Sequence, residues 1–243
     1  MPDKPYDKIK PPSLPVRRAP KRPVYAEFLA TTNFSFLRGA SHPEEYIATA
    51  AELGYAAIGV ADYVTLAGIV RAHTAARDIG MPYRPGARLI LIPTDTPPTN
   101  VDLEREIEHQ FAVVEFAVFP LNRRGYGDLC RLLTLGKTRL PGARCLLTTA
   151  DFIAHQKDLA VIVLPPTPKP VRDGVDSKAI DTCAIVGDLL AAATDRSVWS
   201  VALTKDYTFF NPHAQELART VSKVHGLPLI ATNVPTFHTP QRK

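Results

Sequence analysis

The sequence predicts an α/β fold: a mainly parallel sheet wound into one barrel-like domain, with a basic arm in front of it. Three observations predict it. Short β-branched or aliphatic runs alternate with amphipathic helical stretches, which is the pattern of successive βα units. Glycines such as Gly54 and Gly80 stand where the helical runs stop. A chain of 243 residues with 45% hydrophobic residues buries one sizeable core, which suits one domain better than two small ones.

Taken in order, the first strand is expected at Tyr25–Ala30. Ser41 then caps a helix that has Pro43, Glu44 and Glu45 in its first turn, all favourable at a positive helix start, and Gly54 closes it. The second strand is Ala57–Ala61, with Ile58 expected inside the barrel. A helix over Leu66–Ile79 places Ile69, Val70, His73 and Ala76 at helical spacing before Gly80 ends it. Strands follow at Arg88–Ile92, Ala112–Val118, Leu159–Leu164, Val198–Leu203 and Pro228–Thr232, giving seven. Helices are expected at Arg124–Leu135, Ser177–Ala193 and His213–His225. The proline-rich stretches Pro93–Asn100 and Pro165–Gly174 read as surface loops, because successive prolines remove backbone donors.

Composition excludes several classes. No run approaches the roughly 18 apolar residues of a membrane span, and no apolar signal-peptide core follows the basic start, so the chain is expected in the cytoplasm. Cys130, Cys145 and Cys183 are odd in number and widely spaced, as expected of reduced thiols. Gly136-Lys137-Thr138 lacks the upstream glycine spacing of a phosphate-binding loop. The net charge of +5 is concentrated in residues 1–23, where Lys4, Lys8, Lys10, Arg17, Arg18, Lys21 and Arg22 face only Asp3 and Asp7. Seven prolines in the same stretch predict disorder. Such an arm either neutralises DNA phosphates, with Lys21 and Arg22 among the contacts, or is a passive solubilising extension.

Three motifs carry more than composition does: Phe34-Ser35-Phe36-Leu37-Arg38-Gly39-Ala40-Ser41-His42-Pro43-Glu44-Glu45, Gly68-Ile69-Val70-Arg71-Ala72-His73, and Gly125-Tyr126-Gly127-Asp128-Leu129-Cys130-Arg131-Leu132-Leu133-Thr134. In this order they resemble the N-terminal PHP (polymerase and histidinol phosphatase) domain of bacterial C-family DNA polymerases, the DNA polymerase III alpha family, and within it the error-prone, damage-tolerant branch. The resemblance runs from about Val24 to Lys243. It implies a distorted (β/α)7 TIM-like barrel of the PHP type over residues 24–243, preceded by the arm at 1–23.

PHP domains with phosphoesterase activity hold a metal cluster at the barrel mouth through histidines and carboxylates, which polarises a phosphoryl oxygen and activates water. Followed position by position, the resemblance puts Leu29 and Thr31 where the family has its first two histidines. Ala61-Asp62-Tyr63 replaces Thr-Asp-His, so Asp62 is retained and Tyr63 is not a histidine. Gly86-Ala87-Arg88 stands for Gly-Cys-Glu, or lies one position from it, with Ala87 taken as the degenerate position beside a cation. Val234 and Thr236 replace the last two ligands, with His238 nearby. Side chains of these types do not make a strong metal site, so no metal and no cofactor is expected. Asp62 reads either as a structural carboxylate capping the following turn or as one surviving ligand. Arg38 and Arg71 either approach one mouth and hold an anion such as phosphate, or form salt bridges to Asp62 or Glu45.

The resemblance implies the PHP domain of an error-prone DNA polymerase used in DNA-damage tolerance and repair, degenerate in its own chemistry and supporting polymerase domains absent from this chain. By itself the chain is expected not to catalyse nucleotidyl transfer. The alternatives are a free-standing module that binds DNA or mutagenesis accessory proteins through its basic arm, and a metal-dependent phosphoesterase or exonuclease.

Overall fold

The computed structural model describes residues 24–97, 114–140, 144–166, 170–171, 174–175, 182–205 and 211–242. The arm at 1–23, with Lys21 and Arg22, lies outside them. So do parts of the expected elements Pro93–Asn100, Ala112–Val118 and Ser177–Ala193.

The elements run β1 (Ala26–Ala30), α1 (Pro43–Glu52), β2 (Ala57–Tyr63), α2 (Ile69–Ile79), β3 (Tyr83–Ile92), β4 (Val114–Pro120), α3 (Arg123–Thr138), β5 (Leu147–Thr148), α4 (Thr149–His155), β6 (Leu159–Leu164), β7 (Pro170–Val171), β8 (Gly174–Val175), α5 (Thr182–Ala191), β9 (Trp199–Thr204), α6 (Asn211–His225) and β10 (Leu229–Thr232). The main sheet follows the order β1-β2-β3-β4-β6-β9-β10, with the short β5 on β3. Its pairs are parallel except those of β4, which runs antiparallel to both β3 and β6. All seven expected main strands are present, so the distorted barrel stands.

The two ends of this path, β1 and β10, meet across a seam bridged by side chains. The buried Glu27 carboxylate of β1 accepts from the Thr232 hydroxyl and, at 2.9 Å, from Asn233 N. Beyond the strands, Thr31 N donates to Pro235 O at 2.9 Å. A carboxylate can stay buried there because Leu29 N and the Tyr25 hydroxyl also donate to it, at 2.8 and 2.7 Å.

Strand alternation divides the core into layers. Inside the barrel, Leu29, Ala61, Ala117, Phe119, Ile162 and Ala202 pack together. Alanines there leave room, and Phe119 lies across Gly59 and Gly86, where an added Cβ would meet its ring at 3.0 and 2.5 Å. Ala30, Ile58 and Val60 pack outward against Tyr46, Ile47 and Ala50 of α1 and Ala72 and Ala76 of α2. The larger third layer gathers Leu89, Phe116, Leu129, Phe152, Val161, Val186 and Trp199 between the sheet and the other helices.

Several expectations are corrected. Ile58 is buried between sheet and helices, not inside the barrel. His42, not Ser41, is the N-cap of α1, and Glu45 Oε2 accepts from its N–H at 2.7 Å. Ser41 is buried instead, and its hydroxyl pairs with His238 Nδ1 at 2.8 Å and accepts from His238 N at 2.9 Å. The inner face of α2 carries Ala72 and Ala76, while Val70 and His73 face solvent, because small residues let α1 and α2 approach closely. The strand expected from Arg88 begins at Tyr83, and the short α4, with Thr148 as its cap, stands in addition to the expected helices. The β7–β8 pair occupies part of the stretch read as a loop at Pro165–Gly174. None of the three cysteines is in a disulfide. Among the described residues no helix is long and apolar enough to cross a membrane.

Candidate functional site

The carboxyl ends of β1, β2 and β10 and the middle of β3 around Arg88 meet at one mouth, on the side where ligand groups collect in parallel βα barrels. Asp62, at the end of β2 and 2% exposed, organises it. Its Oδ1 accepts from Thr32 N at 2.7 Å and from the Ser35 hydroxyl at 2.6 Å, and its Oδ2 from the Thr32 hydroxyl at 2.8 Å. Ser35 Oγ in turn accepts from Tyr63 N at 2.9 Å. Burial raises the Asp62 pKa above its ordinary value, against the pull of the Ser35 and Thr32 hydrogen bonds and the nearby Arg88 guanidinium. The carboxylate thus ties β2 to the β1–α1 loop.

Arg88 is the second organiser, and its side chain is 3% exposed. Nη2 donates to Leu29 O at 2.8 Å, and Nη1 donates to the Tyr63 hydroxyl at 3.0 Å and to Glu115 Oε1 at 3.4 Å. From β3 this one cation therefore reaches β1, β2 and β4. Its Cζ lies 4.9 Å from the Tyr63 ring centroid, and Arg38 Cζ lies 4.1 Å from the same centroid. Burial also raises the Tyr63 pKa, assisted by Glu115 and opposed by Arg88 and Arg38.

The other expected positions separate in space. Leu29 is fully buried in the barrel interior. The Thr31 hydroxyl is buried with no hydrogen-bond partner among the described residues, while the Thr31 carbonyl accepts from the Tyr46 hydroxyl at 3.0 Å. Ala87 faces the helix layer with Leu89, Phe116 and Val118, so strand alternation aims Arg88, not Ala87, into the barrel. Val234 packs on the interior cluster, and the Thr236 side chain is exposed with its carbonyl accepting from Ala40 N at 2.8 Å. Arg71 pairs with the buried Glu44, rather than Glu45, and approaches the Phe34 ring at 5.9 Å. Arg38 and Arg71 border the same loop but engage different neighbours.

A PHP resemblance implies metal ions, and the side chains at this mouth do not fit them. Asp62 has its oxygens committed to three donors, its neighbours offer no imidazole, and Arg88 adds a positive charge where cations would have to gather. Among the described residues no group of three or more His, Cys, Asp or Glu is placed to hold a metal ion. His238, two residues beyond Thr236, is held by Ser41, its Nδ1 3.7 Å from Glu45 Oε2.

Left-handed backbone marks the same region. Leu37, Val64 and Val234 have φ of 59°, 46° and 48°, a costly conformation for branched side chains. Glu27 and Arg88 escaped sequence reasoning as organising residues. Each is the one charge in an apolar four-residue stretch, Ala26-Glu27-Phe28-Leu29 and Ala87-Arg88-Leu89-Ile90, and a charge in such a setting must be paired.

A PHP domain family profile matches residues 30–164, more than half of the chain. The chain is 37% identical over 223 residues to the error-prone DNA polymerase of Caulobacter vibrioides, covering 91% of this chain and 18% of that protein. It is 33% identical over 217 residues to error-prone DNA polymerase 1 of Rhizobium meliloti, covering 89% and 17%. The chain thus spans less than a fifth of the length of these relatives. A solved protein of Bifidobacterium adolescentis, named for an expected metal-dependent phosphoesterase activity, superposes with a TM-score of 0.57 at 13% identity, covering 95% of this chain and 90% of that one, which shows the fold. With a PHP-like barrel, its mouth at the carboxyl ends of the strands, and relatives of this kind, the chain belongs to the PHP domain family, in a form related to that of bacterial error-prone DNA polymerases.

Proposed function

We propose that this chain is a catalytically degenerate PHP domain of an error-prone DNA polymerase, giving structural support to polymerase domains during DNA-damage tolerance rather than hydrolysing phosphoesters itself. Residues 24–243 constitute that domain in this reading, in a cytoplasmic setting, and the arm at 1–23 adds weak, salt-sensitive DNA affinity. The observation that supports it most is Arg88. A buried guanidinium held by Leu29 O, Tyr63 and Glu115 fills the space between strands from which a metal-binding PHP domain would present acids and imidazoles. Degenerate positions Leu29, Thr31, Tyr63, Val234 and Thr236 add no strong donor, and Asp62 serves the loop. The strained backbone at Leu37, Val64 and Val234 fits a mouth that keeps the shape of a functional site.

The test is elemental analysis of the dialysed 243-residue protein for zinc, manganese and iron, followed by a generic phosphodiester assay with each metal added back. The expected outcome is no stoichiometric ion and no metal-dependent turnover. Two or more tightly held ions per chain, or turnover that Asp62→Asn abolishes, would overturn the degenerate reading.

A further inference from the structure

We propose that the β1–α1 loop presents Phe36 and Leu37 as an apolar knuckle that docks into the polymerase part carried by the longer relatives on the same polypeptide; this rests on the supporting role proposed above. Phe36 is 83% exposed and Leu37 90% exposed, the two most exposed large apolar side chains among the described residues. They are adjacent and lie at the rim of the mouth, on the loop that Asp62 anchors.

The loop holding them is tightly determined. Ser35 is buried and fixed by its hydroxyl on Asp62, while Arg38 N and Gly39 N both donate to Ser35 O, at 2.9 and 3.0 Å. Ala40 N donates to Thr236 O at 2.8 Å. At Gly39 a Cβ would lie 2.1 Å from Thr32 O, so only glycine fits that turn. Within this frame Leu37 is held at a φ of 59°, in the left-handed region that leucine avoids. A rigid, strained loop that aims an aromatic and an aliphatic side chain into water is the arrangement of a preorganised interface anchor, since little ordering entropy remains to be lost on docking. Arg38 on Tyr63 and the half-exposed Arg71 on Glu44 border it, and the complementary surface is an apolar pocket.

The occupant follows from the relatives. This chain matches 18% of the Caulobacter vibrioides protein, so most of that polypeptide lies outside the matched part. A covalently joined region is present at high effective concentration throughout the life of the protein, and it can keep such a knuckle covered.

A chimaera tests the proposal, with this 243-residue chain replacing the matched part of the Caulobacter vibrioides polymerase. Primer extension per mole is measured for the parent chimaera and for its Phe36→Ser and Leu37→Gly variants. The same substitutions in the isolated chain are followed by thermal unfolding, light scattering and single-stranded DNA binding. The expected result is a loss of chimaera activity by roughly tenfold or more for each variant. The isolated variants should unfold no lower than the parent chain, Leu37→Gly higher because glycine relieves the positive φ. Unchanged activity in both variants overturns the knuckle. A dimer of the isolated chain that both substitutions dissociate would make a second copy the occupant, and loss of DNA binding in both would make it DNA, each overturning the proposal. An inactive parent chimaera whose isolated chain folds would instead overturn the supporting role itself.

Discussion

Asp62 keeps a carboxylate out of water by surrounding it with donors from a loop thirty residues earlier in the chain. Removing the acceptor strands those donors, so Asp62→Ala should cost about 2–4 kcal/mol, whereas Asp62→Asn should cost about 1 kcal/mol because the Thr32 hydroxyl can turn from donor to acceptor. Urea unfolding of both variants measures this, and similar losses would show that the hydrogen bonds are not what holds the loop. The pH dependence has a definite sign. The folded pKa of Asp62 lies above its ordinary value, chiefly through burial, so its favourable contribution is complete below the unfolded pKa and is lost as pH rises through the folded one. The wild type should therefore lose stability relative to Asp62→Asn as pH is raised from the acid range past that value. Asp151 has the opposite sign: burial alone would raise its pKa, but Arg139 and Thr148 hold it low, so its contribution is present above the unfolded pKa and lost as pH falls through the folded one.

At the level of elements, the barrel interior is filled by one aromatic ring lying over two glycines. Gly86→Ala on β3 would set its Cβ 2.5 Å from the Phe119 ring and 2.8 Å from Val118 O, so it should destabilise by about 1–3 kcal/mol. Phe119→Leu should relieve part of that, and a double-mutant cycle by thermal unfolding with coupling below about 0.5 kcal/mol would refute the contact. The strands themselves were legible because apolar runs bounded by turn residues are strong local signals. The small α4 and β5 were not, since seven and two residues carry too little periodicity. Burial direction was the weaker inference: Ile58 is as buried as expected but on the outer layer, since which side of a curved strand faces the barrel depends on neighbours distant in sequence. The same limit explains the site. The motif positions Asp62 and Tyr63 do meet at the mouth, while the Leu29 side chain packs in the barrel interior; Arg88 replaces Ala87 at the mouth through strand alternation, and Glu27 acts through Thr232 and Asn233, more than two hundred residues away.

For the molecule as a whole, two buried charges tie strands of the barrel together through their side chains. Glu27 spans the seam between β1 and β10, and Arg88 joins β3 to β1, β2 and β4 at the mouth. In the proposed reading these charges, and not a metal ion, keep the upper end of the barrel together. Replacing Arg88 by Met keeps much of the volume but leaves Leu29 O without its guanidinium partner and Glu115 without its ion pair. Glu115 has a side chain 28% exposed, so water recovers part of its solvation and the full penalty of an abandoned buried charge does not apply. The expected cost is about 2–4 kcal/mol, which for a domain of this size lowers Tm by roughly 4–16 °C. A chelator should leave the Tm of the parent protein unchanged in the same experiment. A chelator-induced fall as large as that of Arg88→Met would mean that a metal ion, and not this guanidinium, holds the mouth of the barrel.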